Sequence, residues 1–175
     1  VVMTTTLARL TLRRVTLPKV ATRQKPRGIA EPAKPAGAKP IVKWVGGKTK
    51  LLPEIERRMP THYRRYFEPF FGGGALFFHI QPQTAVLGDY NRDLINMYRC
   101  VSWNVEAVLR KLQVHRRKHD KAYYYATREA WNDPNKSWGN VERAATFIYL
   151  NKTCFNGLWR VNKKGQFNVP MGRYK

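Results

Sequence analysis

Apolar positions along the chain change their spacing several times, and each change marks an element. Ile41-Val42-Lys43-Trp44-Val45 is a short apolar run closed by Gly46-Gly47-Lys48, and Leu51, Leu52 and Ile55 then follow at a spacing that suits a helix. The aromatic run Tyr66-Phe67-Glu68-Pro69-Phe70-Phe71 enters Gly72-Gly73-Gly74 and continues as Ala75-Leu76-Phe77-Phe78, the pattern of a strand, a tight turn and a helix. Thr84-Ala85-Val86-Leu87-Gly88-Asp89 reads as a second short buried strand that ends in a carboxylate. Leu94, Met97, Tyr98, Val101, Val108, Leu109 and Leu112 recur at helical intervals. Tyr123-Tyr124-Tyr125 and Trp131 precede a Pro/Asn/Gly break at residues 132–140, and Val141 to Leu150 reads as a buried helix. Two strand-like runs flank Asn162-Lys163-Lys164-Gly165, where a glycine after a polar pair marks a hairpin turn.

The strand–glycine–helix pattern is how a nucleotide-binding α/β sheet begins, because a ligand lying almost on the backbone leaves no room for a Cβ. The spacing is not the GxGxxG of a dinucleotide fold, and a plain glycine turn is the other reading. Asp89 strengthens the ligand reading. An acidic residue at the end of the second strand accepts hydrogen bonds from a ribose hydroxyl pair. Its alternative is an N-cap for a helix beginning near Asp93-Leu94-Ile95. These two features also permit a different Rossmann-like enzyme, one that uses a nicotinamide cofactor.

Charge narrows the partner. The chain has 175 residues, enough for one domain with a core, and a formal charge of +22. Residues 1–40 hold nine Lys/Arg and one Glu, so the remainder still carries 24 basic against 10 acidic residues. A folded region that basic, with 13% aromatics, expects nucleic acid. An anionic membrane surface is the alternative, but no apolar run approaches the roughly 20 residues of a spanning helix. The hairpin at residues 156–170 carries Arg160, Asn162, Lys163 and Lys164 with Phe155 at its base. A two-stranded ribbon fits the major groove, where arginine reads guanine through two hydrogen bonds; a plain surface hairpin is the other reading. Lys111, Arg116, Arg117 and Lys118 crowd one helical region, either as a solvated face or against phosphate.

Residues 1–40 are different material, rich in Thr, Arg, Lys, Pro and Ala. Their Pro-Ala-Lys repeats predict an extended linker behind a disordered basic arm, or translated sequence upstream of the true start. Thr4 to Val20 has the Arg-rich, acid-poor look of an organelle transit peptide, the less favoured reading. Cys100 and Cys154 form no CxxC pair and, with four scattered histidines, no zinc pattern; two reduced buried thiols in a cytosolic protein are expected.

Four segments in order resemble the Dam-type, or D12 class, DNA adenine-N6 methyltransferases. They are Lys43-Trp44-Val45-Gly46-Gly47-Lys48; Phe67-Glu68-Pro69-Phe70-Phe71-Gly72-Gly73-Gly74; Asp89-Tyr90-Asn91-Arg92-Asp93-Leu94; and Asn156-Gly157-Leu158-Trp159-Arg160 with Gly165 to Lys175. The resemblance covers about residues 41–175. It implies a Rossmann-like S-adenosylmethionine-dependent methyltransferase sheet, incomplete here, with a helical and β-hairpin target-recognition region. Residues 41–100 would hold the cofactor and 101–175 would recognise the target, behind the tail at 1–40. Trp44, Lys48, Phe70, Gly72, Gly74 and Asp89 would contact S-adenosylmethionine. Lys43, Phe155, Asn156, Leu158, Arg160, Pro170 and Tyr174 would contact double-stranded DNA, with GATC the first candidate site. The resemblance implies no metal and a cytoplasmic, nucleoid-associated enzyme.

One departure bears on activity. The family's Asp-Pro-Pro-Tyr motif is not in this sequence; the only Asp-Pro, Asp133-Pro134, lacks the second proline and the aromatic. The adenine N6 lone pair is delocalised into the ring. A carboxylate and a backbone carbonyl must accept its hydrogens, and an aromatic must hold the flipped base. The expectation is therefore a methyltransferase front part truncated before its catalytic motif, with no catalytic residue among those present. The alternatives are an inactive DNA-binding fragment or one half of a split enzyme whose C-terminal half is a partner.

Overall fold

The structure is a computed structural model that describes residues 2–6 and 38–173. Tyr174, expected at DNA, lies outside the described residues, as does most of the 1–40 tail.

Among the described residues, three short strands form one sheet in the order β1–β3–β2: β1 (Val2–Thr6), β2 (Tyr66–Glu68) and β3 (Thr84–Gly88). β2 and β3 run parallel, with Tyr66 opposite Ala85 and Glu68 opposite Leu87. Parallel neighbours need a crossover, and helix α2 (Ala75–Ile80) supplies it. The result is a strand–helix–strand unit that aims the C-terminal ends of both strands at the same side. Both strands alternate as a half-buried sheet should: Tyr66 and Glu68 are buried while Phe67 is exposed, and Ala85 and Leu87 are fully buried. β1 is a departure from the expected unstructured tail. Val2-Met3-Thr4-Thr5-Thr6 is mostly β-branched, and it pairs antiparallel along the outer edge of β3.

Around the sheet lie four further helices among the described residues. The short α1 (Leu52–Arg58) has Pro53 in its first turn, where no N–H partner is needed. α3 (Arg92–Lys118) is long but broken at Asn104 (φ −153°), whose side chain restarts the helix by accepting from the Ala107 N–H at 3.3 Å. The boundary expected at residue 100 thus falls inside a helix, four residues before its break. α4 (Lys121–Asn132) opens on Asp120, which accepts from the Tyr123 N–H at 2.7 Å. The break expected at 132–140 follows it. α5 (Asn140–Thr153) is buried continuously from Ala144 to Asn151, because it packs against both α3 and α4. Leu94, Met97, Tyr98 and Val108 turn their expected apolar stripe inward, whereas Leu109 is half exposed.

Asp89 does not cap α3. Asn91 does, accepting from the Leu94 N–H at 2.9 Å. The expected hairpin is also slighter than two full strands. The chain turns at Asn162–Gly165, closed by Gly165 N–H to Asn162 O at 2.9 Å, but only single bridges, Val161 with Phe167 and Cys154 with Met171, pair its arms. A 3-10 turn at Phe155–Gly157 interrupts one arm, and Pro170, which has no N–H, lies in the other.

Candidate functional site

Two adjoining surfaces carry the candidate chemistry. The first is a cavity of about 310 Å³ at the C-terminal ends of β2 and β3. Trp44, Lys48, Phe70, Gly72, Gly74 and Asp89, the six residues expected at the cofactor, all line it. The glycine turn folds as it does for two physical reasons. Gly72 (φ +55°) and Gly74 (φ +75°) sit in left-handed backbone, and a Cβ on Gly74 would lie 2.6 Å from the Phe71 ring. The bare backbone is thus demanded by the fold's own packing, as well as leaving room for a ligand. Asp89 fastens this turn: its two oxygens accept from the N–H groups of Gly72 and Asn91, each at 2.8 Å. A carboxylate oxygen has two lone pairs, so accepting one N–H does not by itself saturate it.

Lys48 reaches the cavity, but its ammonium turns to the protein. It donates to Phe70 O at 2.7 Å and lies 3.0 Å from Glu68 Oε1. Glu68 is buried, and Tyr66 O–H donates to its Oε2 at 2.7 Å. Burial and the Glu68 carboxylate push the Tyr66 phenol far above its usual range, so it stays a donor. Lys48 therefore compensates a buried carboxylate and ties Phe70 in place. Beyond Asp89 lies a second depression of about 350 Å³, bounded by Phe67, Pro69, Val86 and Tyr90. Tyr90 is fully exposed. It escaped the sequence reading, although an aromatic directly after the strand-end acid was the available signal.

The second surface is the segment from Phe155 to Arg173. Phe155 stands half exposed beside a sharp turn in which Asn156 is left-handed (φ +54°), and its N–H donates to Pro170 O at 2.8 Å. Arg160 is exposed, held across the turn by Nε to Asn168 Oδ1 at 3.0 Å. Leu158 lies at the same base, half-buried. Beneath them Trp159 stacks on Phe167 at 4.4 Å and packs on Phe147 at 4.3 Å, an apolar floor under a polar rim.

A clamp that sequence reasoning missed joins the surfaces. Asn151 is fully buried on α5. Its Oδ1 accepts from Lys43 N–H at 3.1 Å, and its Nδ2 donates to Lys43 O at 2.9 Å and to Gly157 O at 3.1 Å. Gly157 has no side chain in the way, so the Lys43 methylenes lie directly against it. Lys43 is thereby held against Gly157, in the segment that carries Phe155, Asn156 and Leu158. Trp44, one residue on, has its ring between the glycine turn and Trp159, stacked on the latter at 6.4 Å. Among the described residues no group of three or more His, Cys, Asp or Glu is placed to hold a metal, and no helix is long and apolar enough to cross a membrane.

The chain is similar over most of its length to DNA methyltransferases. It is 49% identical over 138 residues to the Type II methyltransferase M1.LlaDCHI of Lactococcus lactis subsp. cremoris, covering 78% of this chain and 49% of that protein. It is 40% identical over 153 residues to the Type II methyltransferase M.MjaIII of Methanocaldococcus jannaschii, covering 78% and 53%. It is 39% identical over 140 residues to the DNA adenine methylase of Haemophilus influenzae, covering 78% and 48%. More narrowly, the model of the D12 class N6 adenine-specific DNA methyltransferase family matches residues 44–175, and the chain belongs to that family. The chain spans about half the length of the curated relatives it matches.

Proposed function

We propose that these residues form the cofactor-binding and DNA-reading part of an S-adenosylmethionine-dependent DNA adenine-N6 methyltransferase with a Rossmann-like sheet, acting at GATC. The observation that carries this reading is the Asn151 clamp, which holds the glycine cleft and the aromatic, basic hairpin as one unit through Lys43. The cleft suits the cofactor. Its walls are glycine backbone and the aromatic residues Trp44, Phe70 and Phe71 with one carboxylate, and the ammonium of Lys48 is committed to Glu68 and Phe70 and does not oppose a sulfonium. When bound, S-adenosylmethionine supplies an electrophilic methyl group. Asp89 would accept from the ribose hydroxyls, Tyr90 would stack on the adenine of the cofactor, and the Phe70–Gly74 turn would approach the methionine end. Arg160 and Leu158 would read base edges, Phe155 would fill the opened stack, and Lys43 and Pro170 would border the target.

The groups that accept the N6 hydrogens are not among these 175 residues, since no Asp-Pro-Pro-Tyr motif is present. The chain by itself is therefore expected to bind cofactor and DNA without turnover, and methyl transfer belongs to the whole protein, in the cytoplasm at the nucleoid. A second reading, a non-catalytic DNA-binding module, is favoured by the charge of +22. Anisotropy with a GATC duplex and a scrambled duplex tests the readout. Arg160→Ala should cost about 1–3 kcal/mol on GATC and little on scrambled DNA. Equal losses on both would remove Arg160 from base reading.

A further inference from the structure

A basic cluster away from the hairpin invites its own explanation. Arg116, Arg117 and Lys118 end α3, and Lys121 begins α4; all are exposed. Cations at the end of α3 are favoured by the helix dipole, but a lysine at the start of α4 is not. No carboxylate among the described residues forms an ion pair with any of the four. The neighbouring acid, Asp120, is occupied as the cap of α4. Helix stability therefore accounts for Arg116, Arg117 and Lys118 in part but not for Lys121.

Helix α4 connects the cluster to the reading surface. Lys121, Tyr125, Arg128 and Asn132 follow at intervals of four, three and four, one stripe of the helix. The far end of the stripe grips the hairpin. Asn132 Nδ2 donates to Phe167 O at 2.9 Å and its Oδ1 accepts from Phe167 N–H at 2.8 Å. Midway, Arg128 lies over the Tyr125 ring at 4.7 Å and donates to Val169 O at 3.2 Å. The near end of the bundle is fixed as well, since His119 Nδ1 lies 3.0 Å from the Tyr149 hydroxyl on α5. The cluster is thus held at a set distance from the hairpin. Eleven residues of helix at about 1.5 Å each make that distance about 16 Å, or about five phosphates along one strand of a duplex.

We propose that Arg116, Arg117, Lys118 and Lys121 form a second DNA contact. It binds backbone phosphates about five base pairs outside the bases read by the hairpin and contributes affinity and register without reading sequence. This deepens the DNA-reading proposal and rests on it. The test uses the full chain and its Arg117→Gln/Lys118→Gln/Lys121→Gln variant, whose exposed positions leave the core intact. Affinity for GATC duplexes is followed across a salt series, with flanks of about three or about ten base pairs. The variant's log–log salt slope should be shallower by about 0.9 for each phosphate it no longer neutralises, with equal affinity losses on GATC and scrambled duplexes. The unmodified chain should bind the short-flanked duplex more weakly than the long-flanked one, and the variant should bind both alike. An unchanged slope together with equal binding of both duplexes by the unmodified chain overturns the second contact and leaves the hairpin reading standing. A shallower slope with no preference for GATC in either protein supports the phosphate contact and sinks the hairpin reading instead.

Discussion

Replacing Asn151 with leucine separates the two surfaces at their joint. Leucine has as many side-chain heavy atoms as asparagine and is somewhat bulkier, so no cavity forms, but it removes three hydrogen bonds to Lys43 N, Lys43 O and Gly157 O. Each such bond contributes about 0.5–1.5 kcal/mol net. Lys43 is exposed enough for water to replace its two bonds in part, while Gly157 is buried and its carbonyl loses the Asn151 amide donor outright. The expected loss is therefore about 2–3 kcal/mol, or roughly 4–12 °C in the melting midpoint at this chain length. Urea unfolding followed by tryptophan fluorescence measures it, since Trp44 and Trp159 lie beside the joint. Asn151→Asp is the sharper partner. It keeps an acceptor for Lys43 N–H but aims a carboxylate at two carbonyls, so it should lose more than leucine does. A loss below about 0.5 kcal/mol for leucine, or aspartate more stable than leucine, would refute the clamp.

Three other expectations follow from the packing. His115 is buried, with Tyr123 Oη 2.9 Å from its Nδ1 and Thr146 Oγ1 3.3 Å from its Nε2, and burial lowers its pKa from 6.5 to about 4. The unfolded chain then binds a proton that the native chain does not. Stability is fully present above pH 6.5 and falls as pH drops toward 4, by up to about 3 kcal/mol; thermal melts across this window should lose that slope in His115→Gln. Gly74→Ala should destabilise by about 2–4 kcal/mol in urea titrations, because it adds a left-handed penalty to a contact 2.6 Å from Phe71; a loss under about 1 kcal/mol would show that the turn relaxes freely. Cys100 and Cys154 are buried, and burial pushes the Cys154 thiol up to about 11, so a thiol reagent at about pH 8, near the ordinary thiol pKa, should label neither until urea unfolds the chain.

How much was legible follows from the range of each signal. The glycine turn, the two strands beside it and Asp89 were visible because they lie within 25 residues and keep local spacing. Their chemistry was half visible. The glycines were read as space for a ligand, and the structure adds the Phe71 and Trp44 rings as what a Cβ would meet. Asp89 and Asn91 are both residues that cap helices and stand two apart, so sequence alone left Asp89 open between a cap and a ligand contact. The Asn151 clamp was invisible, because its partner Lys43 is 108 positions away and a buried Asn leaves no periodic trace. The strand at Val2–Thr6 was hidden by its neighbourhood. Four β-branched residues among five stood inside a basic, Pro-rich stretch whose bulk composition argues against packing. The hairpin turn was legible from Asn162–Gly165, but the shortness of its ladder depends on the 3-10 turn at Phe155 and on Pro170.

Calorimetric titration of the 175-residue chain with S-adenosylhomocysteine, and with NAD as competitor, tests the cofactor cleft most directly. Saturable one-site binding that NAD does not displace is predicted. It should be weakened by Tyr90→Ala, a fully exposed side chain whose loss leaves the fold intact. A folded chain that binds no S-adenosylhomocysteine, or that binds NAD at least as tightly, would contradict the assignment of the Gly72–Asp89 cleft.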